Sequence, residues 1–386
     1  MKHGIFTFTD DSGPRPLTVL NTSVIGIVGT APEADDVEFP LNQPVLISGS
    51  YRKAAKLDTT VDQTGGGTLL NAINAILDQG GALIVVVRVA EGVDANATNT
   101  NVIGSTDVNG NRSGLQALYD ARTELGVWPR IVIAPGFTSV QAVATALDVV
   151  CTRLHAIGFI DAPNTTTTAA ITYKALFSSA YLEMGYPALK NVAGVVVPWS
   201  AWRAGIEAAK DNSAAPNDGY SGSGSNRKIL GTTGLSLPVD YQAGTTVCTA
   251  AVLNDNNIST VINDDGFRTW GNRSLSSDPR WAFIAHSKVN QVILDTIAAG
   301  LKWATDRKIT KALIEDLTET INNFLRAQKR LNHIAGGECF VDPDLNPPDS
   351  IVAGKVYVNY KWTPLGIAEE ISVGAQFVND YAADIF

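Results

Sequence analysis

Three glycine or carboxylate patterns in the sequence could bind a nucleotide or perform acid–base chemistry. Gly65-Gly66-Gly67 precedes a predicted helix, as a phosphate-binding loop does, but the GxxxxGK pattern and its lysine are missing. Gly26 and Gly29 lie at an apolar run without the full GxGxxG spacing of a dinucleotide-binding turn. A flexible helix entry and a strand-to-loop transition are therefore the favoured interpretations, and we expect no cofactor.

Asp161 follows a predicted strand that ends at Ile160, where open α/β enzymes often place a catalytic carboxylate. The next residues, Ala162-Pro163-Asn164, favour a turn in which the Asp161 side chain bonds nearby backbone. The histidines and cysteines lie far apart and suggest neither a triad nor a metal site: His3, His155, His286, His333, Cys151, Cys248 and Cys339. We therefore expect no metal and no catalysis, and a cytosolic α/β enzyme using Asp161 is the rival hypothesis.

The bulk composition indicates a large folded protein. Of 386 residues, 45% are hydrophobic and 17% are charged, which excludes a disordered chain and favours two or more domains. The net charge of −9 would repel phosphate backbones, so we expect no nucleic-acid partner. The longest strongly apolar run, residues 82–89, is too short to cross a bilayer, and no secretory signal is recognised.

From residue 23 onward the sequence alternates apolar runs with helical patterns. Continuous apolar runs are typical of strands covered on both faces, and the predicted strands are 24–28, 45–47, 82–89, 130–134, 157–160 and 192–197. The predicted helices between them are 68–78, 113–125, 140–155 and 169–181. This order predicts an α/β fold with a mostly parallel sheet flanked by helices.

The pattern changes after residues 215–227, a stretch rich in Gly and Ser that we interpret as an exposed, mobile loop. The segments predicted beyond it are strands at 257–262 and 356–362 and amphipathic helices over 289–301 and 311–330, the second capped by Thr310. Residues 371–378 alternate apolar and polar side chains, which predicts a strand with one apolar face.

Residues 263–284 read NDDGFRTWGNRSLSSDPRWAFI. This segment resembles the signature of the tail sheath proteins of contractile bacteriophages and R-type pyocins, DGFRxWGNRTLSSD, with Ser274 where Thr is usual. Further similar segments follow the family order: 130–136, 159–164, 226–229, 231–234, 304–310 and 354–357. The resemblance covers most of the chain and is densest after residue 220.

The resemblance implies an inner sheath domain with exchanged terminal strands plus an outer domain with the mostly parallel sheet. The implied division is 1–22 as N-terminal arm, 23–254 as outer α/β domain, 255–367 as inner domain facing the tube, and 368–386 as C-terminal arm. Two short strands predicted at 4–9 and 17–20 cannot form a core alone, which also favours pairing with another chain. The predicted arm contacts are Ile5, Phe6, Phe8, Leu17, Val19, Ile371, Val373 and Phe377.

The signature segment and the helix 311–330 have separate implied roles. The signature cluster consists of Gly266, Phe267, Arg268, Trp270, Gly271, Asn272 and Arg273. We interpret it as core and subunit contacts, with Asp264 and Asp265 as partners of its arginines in a buried network, and a ligand site is the less favoured alternative. The helix is the predicted tube-facing element, through Lys311, Glu315, Glu319, Arg326 and Lys329.

The function implied by the resemblance is structural. The subunit would polymerise helically around a tail tube and contract to drive the tube through the host envelope, powered by energy stored in the lattice. Implied partners are further copies of the chain, the tail tube protein, and baseplate and tail terminator proteins, without direct membrane insertion. The implied location is the virion tail, after assembly in the bacterial cytoplasm. The sheath of a bacteriocin-like injection device fits the same residues.

Overall fold

The computed structural model describes residues 16–215 and 217–378. The strands in this part of the chain are β1 Ile25–Thr30, β2 Pro44–Ser48, β3 Leu83–Val89, β4 Ile131–Ile133, β5 Ile157–Asp161, β6 Leu182–Gly185, β7 Leu189–Asn191, β8 Val196–Val197, β9 Thr232–Leu235, β10 Thr260–Asn263, β11 Phe267–Trp270, β12 Ile334–Phe340 and β13 Asn359–Pro364. The α-helices are α1 Tyr51–Ala54, α2 Leu69–Leu77, α3 Ala95–Ile103, α4 Ala121–Leu125, α5 Gln141–Leu154, α6 Thr167–Lys174, α7 Trp199–Asp211, α8 Thr249–Asp255, α9 Ile284–Gly300, α10 Lys311–Arg330 and α11 Pro348–Val352.

Six strands form the central sheet in the order β2-β3-β1-β4-β5-β6. Strands β3, β1, β4, β5 and β6 are parallel, and β2 joins the edge antiparallel to β3. Along β1 every residue is buried, and alternate side chains enter different cores: Ile27 packs in the cluster with α2 and α7, and Val28 in the cluster with α5. The mostly parallel sheet covered by helices on both faces confirms the predicted fold class.

The sequence predicted a strand of this sheet at residues 192–197, and this prediction is wrong. Asn191 ends β7, and its side-chain oxygen accepts the backbone N–H groups of Ala193 (3.0 Å) and Val195 (2.9 Å). This turn reverses the chain into the short strand β8, and β9 pairs on the other side of β7. The apolar run is therefore interrupted by a turn and contributes to a separate three-stranded sheet.

Helix α7 packs across the sheet although it carries several charged residues. Arg203 is fully buried and donates to the Glu183 carboxylate on β6 (2.9 and 3.1 Å) and to Glu207 (2.7 Å). The Ser259 hydroxyl also donates to Glu183 (2.7 Å). These contacts satisfy groups that would otherwise be costly to bury.

The charges on α7 continue into α9. Lys288 of α9 lies 2.8 Å from the Glu207 carboxylate and 2.6 Å from that of Asp211, and Lys210 lies 2.7 Å from Glu207. Burial alone would raise the pKa of Glu207, but Lys210, Lys288 and Arg203 hold it well below its ordinary value. We call this set the buried ion network: Glu183, Arg203, Glu207, Lys210, Asp211 and Lys288. Its three cations and three anions balance.

A third apolar cluster lies beyond this network, where α9 and α10 pack on the sheet formed by β12 and β13. Helix α10 begins as predicted, because the Thr310 side chain accepts the N–H of Leu313 at 3.1 Å. Val289 and Ile293 of α9 meet Ile321 and Leu325 of α10 in this cluster. The domain boundary predicted at residues 254 and 255 stays a prediction.

Residues 218–225 of the predicted exposed loop are buried or half-buried, whereas Ala215, Asn217 and Asn226 are exposed. Tyr220 is 6% exposed and donates its hydroxyl to Gln328 of α10 at 2.5 Å. The Gly222 carbonyl accepts from Lys210 (2.9 Å), and a Cβ at Gly224 would lie 2.2 Å from an Arg203 nitrogen. The glycines predicted to give flexibility are needed for close packing, at Gly224 against the buried Arg203 side chain and at Gly222 against the Asn217 carbonyl oxygen.

The strands predicted at 17–20 and 371–378 are absent as hydrogen-bonded elements, because a strand requires a neighbour and neither segment pairs with one in the described chain. The predicted strand at 4–9, with Ile5, Phe6 and Phe8, lies outside the described residues.

We expect Glu207→Gln to lower the free energy of unfolding by about 3–5 kcal/mol, because it leaves buried cations without their shared carboxylate. The measurement is urea unfolding followed by circular dichroism. The matched control is Glu315→Gln on α10, whose ion pair with Lys311 (3.7 Å) is exposed and should change stability by less than about 1 kcal/mol. Equal effects of the two substitutions would contradict the stabilising role of the buried ion network.

Candidate functional site

Asp161 lies at the carboxyl end of β5, but its oxygens hold the start of α7. Ser200 donates its backbone N–H to Oδ1 (2.8 Å) and its hydroxyl to Oδ2 (2.7 Å). The Thr138 hydroxyl lies 3.2 Å from Oδ2. Burial raises the pKa of Asp161, while the bonds from Ser200 and Thr138 act in the opposite direction. The carboxylate is a structural anchor for a distant helix and not part of a local turn.

The glycine patterns near β1 are filled by close packing. A Cβ at Gly67, whose φ is +80°, would lie 2.5 Å from the Thr30 carbonyl oxygen, and one at Gly29 would lie 2.4 Å from the Thr68 hydroxyl. Backbone segments this close leave no space for a phosphate between them. Elsewhere in residues 16–215 and 217–378, no cluster of three or more His, Cys, Asp or Glu side chains could hold a metal ion. No helix in these ranges is long and apolar enough to span a membrane.

An unusual surface feature is the chain after β13, where residues 365–367 lead into the predicted C-terminal arm, of which the structure describes residues 368–378. Ile371, Val373 and Phe377 are 78%, 87% and 94% exposed. These three side chains are the apolar face that the alternating pattern predicted. Large apolar side chains exposed in series are typical of a segment that is covered by a partner.

The root of the C-terminal arm is attached to the signature cluster. Arg273 donates from Nε and Nη2 to the Glu369 carboxylate, with distances of 2.8 and 2.6 Å. The His286 Nε2 lies 3.2 Å from the Leu365 carbonyl oxygen. Beyond Glu369, all described residues of the arm are exposed.

The sheet of β12 and β13 offers a place for an added strand. Each of the two strands pairs only with the other in the described chain, with Cys339 opposite Tyr360. Asn322 of α10 donates to the Cys339 carbonyl (3.1 Å) and accepts its N–H (2.8 Å). Cys339 therefore does not bond Tyr360, so the backbone groups of Tyr360 point to the outer edge of β13. That edge can accept another strand.

The described end of the N-terminal segment packs beside the same unit. Leu17 and Val19 are partly buried against the third apolar cluster. A Cβ at Gly300 would lie 2.1 Å from a Leu17 methyl carbon, so the glycine at the end of α9 makes room for this segment. The described start of the chain therefore packs on the same α9–α10–β12–β13 unit from which residues 365–378 extend.

The structure divides the signature cluster between interior and surface. Trp270 packs edge-on against Tyr241, with ring centroids 5.2 Å apart, and Asn272 is 5% exposed. Arg268 pairs with Asp265 at 3.5 Å, as expected, but this aspartate is 81% exposed, so the pair is not part of a buried network. The other cluster residues lie between these: Gly266 in the turn before β11, Phe267 against the core and Gly271 beside Ser259.

The predicted partnership of Arg273 with a neighbouring aspartate is wrong. Its carboxylate partner is Glu369, which is 96 residues away and could not be recognised from local spacing. The hint in the sequence is that Glu369 lies two residues before the alternating segment 371–378.

The polar face of α10 is accessible. The side chains of Lys311, Glu315, Glu319 and Arg326 are 90%, 66%, 51% and 57% exposed, and Lys329 is exposed as well. The opposite face is buried in the third apolar cluster. A groove of about 710 Å³ beside the first half of α10 is lined by apolar side chains that include Ile309, Ile314, Val341 and Ile351.

Comparisons with known proteins agree with this architecture. The family model for the phage tail sheath C-terminal domain matches residues 276–377, and that for the N-terminal region of domain III of the tail sheath protein Gp18 matches residues 22–89. The chain is similar in fold to the helical sheath of the anti-feeding prophage in its contracted state (TM-score 0.70, 19% identity, 98% of this chain and 99% of that chain). It is also similar to the contracted PVC sheath of an extracellular contractile injection system (TM-score 0.69, 17% identity, 99% of each chain).

Sequence relatives extend over nearly the full chain. A prophage major tail sheath protein of Pseudomonas aeruginosa (strain UCBPP-PA14) is 36% identical, with 99% of this chain and 98% of the relative covered. The tail sheath protein of Escherichia phage P2 is 33% identical, with 99% and 97% covered. The chain therefore belongs to the tail sheath proteins of contractile phage tails, and it is a structural sheath subunit rather than an enzyme.

Proposed function

We propose that this sheath subunit polymerises into a helical cylinder around a tail tube by exchanging its chain ends with neighbouring copies. Contraction of the lattice then drives the tube through the host envelope. The observation that carries the proposal is the C-terminal arm, whose Ile371, Val373 and Phe377 are exposed and alternate with polar or small residues. An extended segment with one apolar face is suited to adding a strand to another chain's sheet.

The sheet of β12 and β13 is the acceptor in this proposal. An added strand would bond the outward backbone groups of β13 and cover its own apolar face. The N-terminal arm, residues 1–22, would make the second link, with its described end held at Leu17 and Val19 against the third apolar cluster. Contacts that join copies head to tail without closing a ring build a helical filament.

In the proposed orientation, residues 255–367 lie on the inside of the sheath, with α10 toward the tube, and residues 23–254 lie on the outside. The mixture of exposed positive and negative side chains on α10 supports this orientation, because paired charges can set the register on a tube without strong apolar adhesion. Sliding of the tube relative to the sheath requires such weak contacts. The energy of contraction would come from repacking of subunit contacts in a metastable lattice.

The further partners we propose are the tail tube protein, the baseplate and the tail terminator, with assembly in the bacterial cytoplasm before incorporation in the tail. A bacteriocin-like injection device is the second candidate assembly. The fold likeness to sheaths of an anti-feeding prophage and of an extracellular injection system supports keeping it. The genes adjacent to the coding sequence distinguish the two, because a phage also needs capsid genes.

We expect deletion of residues 369–386 to leave a folded subunit that does not polymerise, because the strand that links copies is missing. Electron microscopy and sedimentation measure polymerisation, and circular dichroism measures folding. Normal cylinders built from the truncated chain would rule out exchange of the C-terminal arm.

A substitution on the apolar face of the arm should act in the same direction. Val373→Asp would place a carboxylate against the acceptor sheet, so we expect the subunit concentration needed for assembly to rise at least about tenfold. The matched control is Ser372→Asp, which adds the same charge on the opposite face of the arm and should change this concentration by less than about threefold. Equal effects would indicate that the arm does not bind as a strand.

We expect Lys329→Glu on α10 to weaken binding to the tail tube by about two- to fivefold at low salt, with a smaller effect at high salt. Co-sedimentation of sheath subunits with purified tubes measures the binding. The control is Arg52→Glu on α1, an exposed site outside the proposed inner domain. A tube affinity that responds to Arg52→Glu and not to Lys329→Glu would reverse the proposed orientation.

A further inference from the structure

The contact between Arg273 and Glu369 differs from the other exposed ion pair of the signature cluster. Arg273 and Glu369 approach through several nitrogen–oxygen contacts of 2.6 to 3.0 Å, and their side chains are 40% and 36% exposed. Arg268 and Asp265 make a single ion-pair contact of 3.5 Å, with the aspartate 81% exposed. A two-pronged guanidinium–carboxylate pair fixes direction as well as distance. The Glu369 hydrogen bond is the main reason that the pKa of Arg273 is raised.

The backbone around Arg273 is held in place by α9. The Asn272 carbonyl accepts the N–H of Ile284 (3.2 Å), and Ser274 donates its N–H to the Ala282 carbonyl (2.8 Å). The Arg273 guanidinium also lies 5.8 Å from the centroid of the Phe283 ring. The arginine therefore projects from a rigid position between β11 and α9.

The second contact, from His286 on α9 to the Leu365 carbonyl, lies just after β13 ends at Pro364. Residues 365–369 are thus held at both ends against α9 and the signature cluster. The chain is free to leave the body only after Glu369, and this is where the alternating apolar face begins.

We propose that Arg273 is a positioning residue that fixes the exit direction of the C-terminal arm, so that residues 371–378 reach the sheet of a second copy of this chain. The proposal rests on the arm exchange put forward above, and it assigns Arg273 of the signature cluster a role in assembly. Holding the root of the arm shortens the segment that must be ordered on binding and raises its effective concentration near the acceptor. The pair is retained in the assembled sheath.

The test compares Arg273→Gln, Glu369→Gln and the double exchange Arg273→Glu with Glu369→Arg in the full-length chain. We expect each single substitution to leave the melting temperature within about 2 °C, because a half-exposed pair contributes little to stability. We expect the subunit concentration needed for cylinder formation to rise about three- to tenfold, and the double exchange to recover most of this loss. Sedimentation and electron microscopy measure assembly at low and at high salt. The difference between the single variants and the unsubstituted chain should be smaller at high salt.

The matched control is Arg268→Gln, in the same segment but without a contact to the arm, which should assemble like the unsubstituted chain. Unchanged or improved assembly of Arg273→Gln, or a double exchange without recovery, would overturn the positioning role. If Arg273→Gln does not fold, Glu369→Gln still tests the pair, because it changes only the side chain on the arm. Assembly of the chain lacking residues 369–386 would instead contradict arm exchange itself, so the two failures are distinguishable.

Discussion

The buried ion network is the constraint on which the rest of the subunit depends. It joins Glu183 of the central sheet and Arg203, Glu207, Lys210 and Asp211 of α7 to Lys288 of α9. Buried pairs of this kind add little net stability compared with an apolar core, but misplacing one member leaves an unpaired charge. The network therefore allows few arrangements of α9 on the sheet. Since α9 also forms the third apolar cluster, the sheet and the α10–β12–β13 unit are held in one orientation.

The sequence predicted β1 to β5 of the central sheet because their apolar runs are continuous, but it missed β6, where Glu183 interrupts the apolar residues. It could not predict the burial of α7, because charged residues at helical spacing are typical of a helix face exposed to solvent. Their burial depends on Glu183 and Lys288, which are distant in sequence. The glycines of residues 215–227 were misinterpreted for a similar reason: Gly224 is required by the buried Arg203 side chain, and this requirement exists only after α7 is in place.

The functional surface shows a similar limit. The alternation of Ile371, Val373 and Phe377 predicts one apolar face because this property is local, and the three side chains are exposed in the structure. Whether the segment is a strand depends on hydrogen-bond partners, which the described chain does not provide. The partner of Arg273 is equally non-local, so the signature cluster was interpreted as one buried network. Its aromatic and amide groups do lie inside, whereas its arginines point outward to Asp265 and Glu369.

A body with restricted internal motion, from which residues 370–378 extend without a neighbouring strand in the described chain, has a mechanical consequence. If α9 cannot rotate on the sheet without separating buried charges, a change in a lattice of such subunits must occur between bodies. The segments that link the bodies must then remain attached while the bodies move. Segments that lie outside every apolar core can do this, because they can change direction without disturbing the core. Residues 370–378 meet this requirement because they are exposed and begin at a fixed point, Glu369. The rigid core and the unpaired C-terminal segment thus have complementary roles. The large buried contacts stay unchanged within each subunit, and the contacts that rearrange lie on its surface.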